Sequence, residues 1–315
     1  MQRMHLAGHN LLIVILGPTA VGKTGFSIGL AQEIDAEIVS ADSRQIYRHM
    51  DIGTAKPTQA EQQKIQHHLL DVVNPDENLS LAQYQKLANT AIRRIQSNNK
   101  IPLLVGGTGQ YITAIVEGWS IPEVPPNPQL RSELEELAKV QGAEHLHNQL
   151  QTYDPVAAAN IDYRNVRRVI RAIEVCIITG QPISQLQQKS PPGYNILHLG
   201  LTLDREILYQ RADHRIDIMM KLGFLDEVKR LLGQGFSRRL PSMSGLGYAQ
   251  LAAHLLDHRA LDEMVTETKN ITHDFIRRQY TWFRGHDPGI QWHDMTKTPP
   301  EIITRSVVNW VKEQI

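Results

Sequence analysis

Eight residues constrain this chain more than any others. Gly17-Pro18-Thr19-Ala20-Val21-Gly22-Lys23-Thr24 satisfies the pattern G-x-x-x-x-G-K-[ST] at every fixed position. The apolar run Leu11–Leu16 stands before it, and a helical stretch from Thr24 to Glu33 follows. In that context the glycines let backbone N–H groups turn toward phosphate oxygens, and the helix N-terminus adds partial positive charge. Lys23 supplies a full charge, and the Thr24 hydroxyl can bind Mg²⁺. A turn that merely joins strand to helix is the alternative; the whole pattern in its setting favours phosphate. Leu11–Leu16 itself is far short of the roughly 18 apolar residues of a membrane span, so it reads as a buried parallel strand.

The rest of the chain extends this grammar. Glu37–Ser40 and Ile101–Val105 read as further strands, and Ser80 to Gln96 carries helical periodicity with Leu81, Tyr84, Leu87, Ala88, Ala91, Ile92 and Ile95 on one face. Strand, helix, strand, helix, strand predicts a parallel α/β sheet flanked by helices, of the P-loop NTPase-like kind. Near Gly118 the pattern changes: Pro122, Pro125, Pro126 and Pro128 cluster, then helical stretches run to Ile178. A second break, Ser190–Tyr194, precedes the strand-like Ile196–Leu203. The expected organisation is an α/β core of residues 1–117 and 196–315 with a helical insertion domain at 118–195. Tyr209 to Glu227 reads as one long amphipathic helix with a bend near Gly223.

Composition narrows the function. Lys plus Arg and Asp plus Glu both number 33, which excludes a globally basic nucleic-acid binder but leaves local basic faces open. The single cysteine, Cys176, excludes an intramolecular disulfide and a zinc site built on several thiolates. It is compatible with a reducing cytoplasm, and the first ten residues lack the apolar middle of a signal peptide. The 14 histidines form no metal-site pattern.

Many P-loop NTPases place an acid at a strand end to support the metal. Here the third strand runs into Gly106-Gly107-Thr108, with no acid. That weakens the nucleotide-hydrolysis reading of an ATP-binding motif and leaves room for a site that holds a diphosphate as leaving group. Asp42 follows the second strand, so it belongs near the P-loop, where strand carboxyl ends line one crevice. It is open between a role on Mg²⁺ or a nucleophile's proton and a role as N-cap of a short helix. The glycines at 106–109 admit a ligand close to the backbone or simply make a turn. Arg164, Arg167, Arg168 and Arg171 share one helical face. That face suits RNA phosphates, unless Asp162 and Glu174 pair with it. Arg277, Arg278 and Arg284 alternate with Tyr280, Trp282 and Phe283; Trp282 and Phe283 read as core. Arg211 and Arg215 are expected, from spacing, to pair with Asp213 or Asp217.

Taken in order, GPTAVGKT at 17–24, ADSRQIY at 41–47, MDIGTAKPT at 50–58, LLVGGTGQY at 103–111, RRVIRAIEV at 167–175, TGQPIS at 179–184, LYQRADHRIDIM at 208–219, GLGYAQL at 245–251 and RRQYTWFR at 277–284 resemble the tRNA dimethylallyltransferase (tRNA isopentenyltransferase) family. The resemblance implies transfer of the dimethylallyl group from dimethylallyl diphosphate to N6 of the adenosine 3′ of the anticodon, with release of diphosphate. It implies Asp42 as general base, and Thr19 and Arg215 as further catalytic groups, Arg215 on the diphosphate against the spacing argument. The diphosphate would sit on Gly17, Pro18, Thr19, Ala20, Val21, Gly22, Lys23 and Thr24, with Mg²⁺ at Thr24. The tRNA anticodon stem-loop would meet Asp42, Ser43, Arg44, Gln45, Thr108, Arg131, Arg167, Arg168, Val169, Ile170, Arg171, Gly247 and Tyr248, partly through the insertion domain.

The sequence departs from the family pattern at Arg44 and at Ala249 within GLGYAQL. The chain ends soon after TWFR without room for the Cys/His zinc-finger extension of some eukaryotic relatives, which together with the missing transit peptide points to a bacterial-type form; a cytoplasmic enzyme with no membrane partner is expected, with monomer as the default. Three other functions compete: an adenylate isopentenyltransferase with AMP as acceptor, a P-loop kinase acting on a small molecule, and an RNA-binding protein with a degenerate P-loop. The arginine face and insertion favour tRNA over AMP, the missing strand-end acid argues against a kinase, and intact Lys23, Thr24 and Asp42 argue against a degenerate loop.

Overall fold

Leu11–Leu16 is buried at every position because both faces of its sheet are covered. Leu11, Ile13 and Ile15 point into one core layer with Phe26, Leu30 and Ala31 of the helix Lys23–Glu33 and Val307 and Val311 of the helix Pro300–Glu313. Leu12, Val14 and Leu16 point into the opposite layer with Tyr84, Ala88 and Ile92 of the helix Leu81–Ser97 and Ile112 and Ile115 of the helix Gly109–Val116. The computed structural model describes residues 10–287 and 289–314; residues 1–9, on which the signal-peptide argument rested, lie outside them.

Among the described residues one sheet holds β1 (Leu11–Leu16), β2 (Ala36–Ala41), β3 (His67–His68), β4 (Ile101–Gly106), β5 (Asn195–Thr202) and β6 (Gln291–Asp294) in the order β3-β2-β4-β1-β5-β6. Every pairing is parallel. Leu16 pairs with Gly106 and with Gly200, and Ala41 pairs with Gly106, so the carboxyl ends of β1, β2 and β4 finish level while β5 runs on to Thr202. The P-loop α/β sheet flanked by helices is the fold the sequence predicts.

Two strands escaped the sequence reading. β3 has two residues and β6 reads QWHD, so neither carries an apolar run, and both sit at sheet edges. The long helix expected over Tyr209–Glu227 is two helices, Arg205–Lys221 and Phe224–Gly233. Gly223 separates them at φ 96°, a left-handed backbone that stops the first and starts the second.

The chain divides into two compact units: one joins the residues up to Val116 with those from Gly193 on, and the other is Glu117–Pro192. The expected insertion, 118–195, differs by one residue at its start and three at its end. The second unit is helical and packs Leu134, Leu146, Leu150, Val169 and Ile173 into its own core. Buried Asp154 ties it together, accepting from the N–H groups of Ala157 and Ser184 and from the Ser184 hydroxyl.

Candidate active site

Level strand ends bring three loops together. Gly17, Asp42 and Gly107 each follow a strand terminus at Leu16, Ala41 or Gly106. The cleft above them, about 480 Å³ with its open mouth, is lined by Thr19, Lys23, Thr24, Asp42, Gln45, Thr54, Ala55, Arg215 and Gln279, among others.

The P-loop adopts left-handed backbone at Ala20 (φ 66°) and Gly22 (φ 104°). At Gly17 a Cβ would lie 2.4 Å from the Leu201 carbonyl oxygen, so only glycine fits. Lys23 Nζ folds back to donate to the carbonyls of Gly17 (3.0 Å) and Pro18 (2.7 Å). Burial pushes its ammonium down to about 7; the charge of Asp42 opposes that shift and the charge of Arg215 adds to it. Burial likewise lowers Arg215 from its ordinary value. Two desolvated cations thus face one small cleft, an arrangement that favours a multiply charged anion.

Asp42 combines features of both readings left open by the sequence. Its Oδ1 accepts from the Arg44 N–H at 2.8 Å, capping a turn rather than a helix, and its other oxygen is left for the cleft. Around it the two strand ends are tied by Thr108, whose Oγ1 accepts from the Ser43 N–H at 2.9 Å and whose own N–H donates to Ala41. Gln45 accepts from the Ser40 hydroxyl and donates Nε2 to the Ala55 carbonyl at 3.2 Å. Arg44 donates to the Pro241 carbonyl at 2.7 Å, so this departure from the family pattern secures a neighbouring loop.

The glycine turn after β4 lines the cleft at Gly107 and also makes room for side chains behind it. A Cβ at Gly107 would lie 2.3 Å from Gln279 Nε2, and one at Gly109 would lie 2.1 Å from the Trp282 ring. The space belongs to side chains of the helix Leu261–His286. Gln279, buried, accepts from the Thr19 N–H at 2.9 Å and donates to the Gly107 carbonyl at 2.8 Å, clamping the P-loop to the end of β4. Sequence reasoning missed it: within RRQYTWFR the arginines and aromatics drew attention, and nothing local marks the glutamine. Phe283 is buried and Trp282 packs beside it, so the core reading of both holds.

Arg215 lines the cleft, and the acids expected from spacing to pair with it are engaged elsewhere: Asp213 holds His273 at 2.8 Å and Asp217 holds Lys269 at 2.7 Å. Tyr248, carried as an RNA contact by the resemblance, is instead a core residue whose hydroxyl donates to Glu227 at 2.6 Å; Gly247 beside it is buried too, at φ 82°.

In the helical unit the arginines divide. Arg131 and Arg171 both grip Glu174, which is fully buried, at 2.7 and 2.6 Å. Burial alone would raise that carboxyl; hydrogen bonds from Arg131, the Asn127 N–H and Arg171 outweigh it and bring it down to about 2. Arg164 pairs with Asp162 at 2.5 Å. Arg167 and Arg168 are exposed, whereas Val169 and Ile170 are buried and cannot offer side chains to RNA. The open part of the basic face is therefore Arg167 and Arg168.

Comparison with known proteins shows the family of the chain. A family model described as IPP transferase matches residues 45–286. The tRNA dimethylallyltransferase of Herpetosiphon aurantiacus is 57% identical over 274 residues, 87% of each chain. That of Dehalococcoides mccartyi is 45% identical over 302 residues, covering 96% of this chain and 93% of its own. Among solved structures, the tRNA isopentenylpyrophosphate transferase of Bacillus halodurans superposes with a TM-score of 0.72 at 36% identity, covering 97% of this chain and 98% of that one. A eukaryotic dimethylallyltransferase acting on tRNA gives 0.75 at 26% identity, over 90% and 74% of the two chains.

Proposed function

This chain belongs to the tRNA dimethylallyltransferase (IPP transferase) family, and from that premise we propose how its cleft transfers a prenyl group to tRNA. The donor is dimethylallyl diphosphate, and the acceptor is N6 of the adenosine 3′ of the anticodon. One observation carries this reading: a phosphate loop, two desolvated cations and a carboxylate with an uncommitted oxygen share a cleft whose β4 end offers Gly106-Gly107-Thr108 and no acid.

The P-loop amides, Lys23 and Arg215 hold the diphosphate. As the C–O bond to the allylic carbon breaks, its electron pair goes to the diphosphate, and donors already aimed there stabilise the growing charge. The adenine amine is a weak nucleophile because its lone pair is delocalised into the ring. It attacks the allylic carbon while its proton passes to Asp42. The base reaches the cleft only when it is extruded from the anticodon loop. Ser43, Arg44, Gln45 and Thr108 build the wall next to Asp42, through the ties already described.

Hard oxygen donors stand where a magnesium ion would be wanted: the Thr24 hydroxyl lines the cleft beside the Asp42 carboxylate. Among the described residues no group of three acids, histidines or cysteines is placed to cage a metal. Mg²⁺ suits such a sparse set, since it keeps several waters and takes further ligands from substrate phosphates. Bound at Thr24 it would supply charge neutralisation on the diphosphate. No helix among the described residues is long and apolar enough to cross a membrane. We place the enzyme in the cytoplasm as a monomer.

The test is transfer of label from dimethylallyl diphosphate with Mg²⁺ to unmodified tRNA or to AMP. Label in tRNA alone is expected. Label in AMP alone overturns the acceptor, and label passing instead from γ-labelled ATP to a small molecule overturns the reaction.

Lys23 sets a pH dependence. In the free enzyme its ammonium is half titrated near pH 7, complete well below that and lost as pH rises beyond it. kcat/KM for the donor therefore falls as pH rises through about 7, by up to about tenfold per pH unit. kcat falls at higher pH, because the bound diphosphate favours the charged amine. A donor kcat/KM that stays flat between about pH 6 and 9 would contradict the assignment.

Charge removal on the helical unit gives a second expectation. Arg167→Ala and Arg168→Ala raise the tRNA KM, and each flattens the dependence of log affinity on log salt by about one unit. Arg171→Ala behaves differently, loosening the grip on buried Glu174 and lowering the melting temperature. An unchanged salt slope in the Arg167 and Arg168 variants sinks the RNA-contact role.

A further inference from the structure

The transfer as derived leaves Glu227 without a part, although it is a carboxylate only 3% exposed. Its Oε2 accepts from the N–H groups of Asp51 and Ile52, both at 2.9 Å. Its Oε1 accepts from the Gly53 N–H at 3.2 Å and the Tyr248 hydroxyl at 2.6 Å. Three consecutive amides converging on one point form a concavity that binds an anion, and here the chain supplies the anion itself. Glu227 stands in the first turn of the helix Phe224–Gly233, whose positive end also favours it. The fit is close: a Cβ at Gly53 would lie within 2.1–2.6 Å of the Phe224 and Tyr248 rings.

The loop so held leads directly into the cleft. Thr54 and Ala55 line it, and their carbonyls receive the Gln45 amide, itself a wall residue beside Asp42. Lys56, which follows, is directed elsewhere, onto Asp51, Asp71 and the Tyr47 carbonyl. We propose that Glu227 is a positioning residue for prenyl transfer: its buried carboxylate fixes the loop 51–55, and through it Gln45 and the cleft wall facing Asp42. The charge matters because all four partners are placed as donors. A glutamine can satisfy Asp51 and Ile52 through its oxygen and can accept from nothing else, since its NH₂ then confronts the Gly53 N–H.

This proposal rests on the prenyl-transfer reading, which the wild-type chain tests separately in the same assay. The experiment compares the full-length wild type, Glu227→Gln and a stability control in the helical unit, Asp154→Asn, with dimethylallyl diphosphate and tRNA. Melting temperature and amide hydrogen exchange are measured alongside. Glu227→Gln is expected to lower kcat by about 10–100-fold, as misplacement of reacting groups by a fraction of an ångström does, with the tRNA KM within about threefold. Exchange at residues 51–53 should quicken while the sheet amides stay protected. Asp154→Asn should lower the melting temperature and leave kcat at saturating tRNA unchanged. A folded Glu227→Gln with wild-type kcat, or with unchanged exchange at 51–53, overturns the proposal, as does an equal loss of kcat in Asp154→Asn. If Glu227→Gln does not fold, Tyr248→Phe decides: a several-fold loss of kcat with faster exchange at Gly53 supports the role, and unchanged kcat overturns it.

Discussion

Asp42→Asn lowers kcat by about 10²–10⁴-fold while tRNA affinity stays within a few-fold of wild type. Asparagine is the informative replacement. Its side-chain oxygen can still accept from the Arg44 N–H, so the turn that Asp42 Oδ1 caps at 2.8 Å survives. What is lost is the oxygen able to receive the proton of the attacking amine. Asp42→Ala removes both, and any extra loss in alanine over asparagine measures the turn alone. Single-turnover transfer under saturating donor and tRNA is the deciding measurement. Normal chemistry accompanied by weak tRNA binding would make Asp42 an RNA anchor instead of a base.

Lys23→Met lowers kcat/KM for the donor by about 10²–10³-fold, the usual scale for removing a preorganised donor to developing negative charge. Methionine keeps the length and bulk of the chain without its charge. Without ligand, the ammonium rests on the Gly17 and Pro18 carbonyls, inside the loop that receives the phosphates. The variant therefore loses both the resting contact and the interaction with diphosphate. Arg215 remains as a second cation at the cleft, which should keep the residual activity measurable. The variant should also lose the fall in donor kcat/KM near pH 7. Persistence of that fall would assign it to another group. A tRNA KM that rises as much as the donor KM would point to general damage to the cleft.

The parts of the site that could be read from sequence are those encoded by short-range pattern. GPTAVGKT announces the strand directly before it and the helix directly after it, and Asp42 is placed by the rule that parallel strands end at one edge. Helical spacing offers Glu174 only as an alternative partner for the arginine face; the structure gives it Arg171, its i,i+3 neighbour on that helix. Spacing could not reach Arg131, which meets the same carboxylate from another helix. Gln279 and Glu227 were invisible for a related reason. Their partners are backbone groups of distant loops, which any residue type could supply and no side-chain spacing reveals. Tyr248 shows the converse: a residue carried over from a family segment turned out to support the site from inside the core.

The Gln279 clamp also bears on when the enzyme comes into being. Its partner Thr19 lies 260 residues earlier in the chain. At a synthesis rate of about 5–20 residues per second, roughly 13–50 s separate their emergence from the ribosome. Throughout that interval the nascent chain carries a complete phosphate-loop sequence but lacks the helix that closes it onto β4. A chain broken off before residue 279 is thus left with an unfastened loop, and competence for transfer arrives late in translation, near the carboxyl end of the protein.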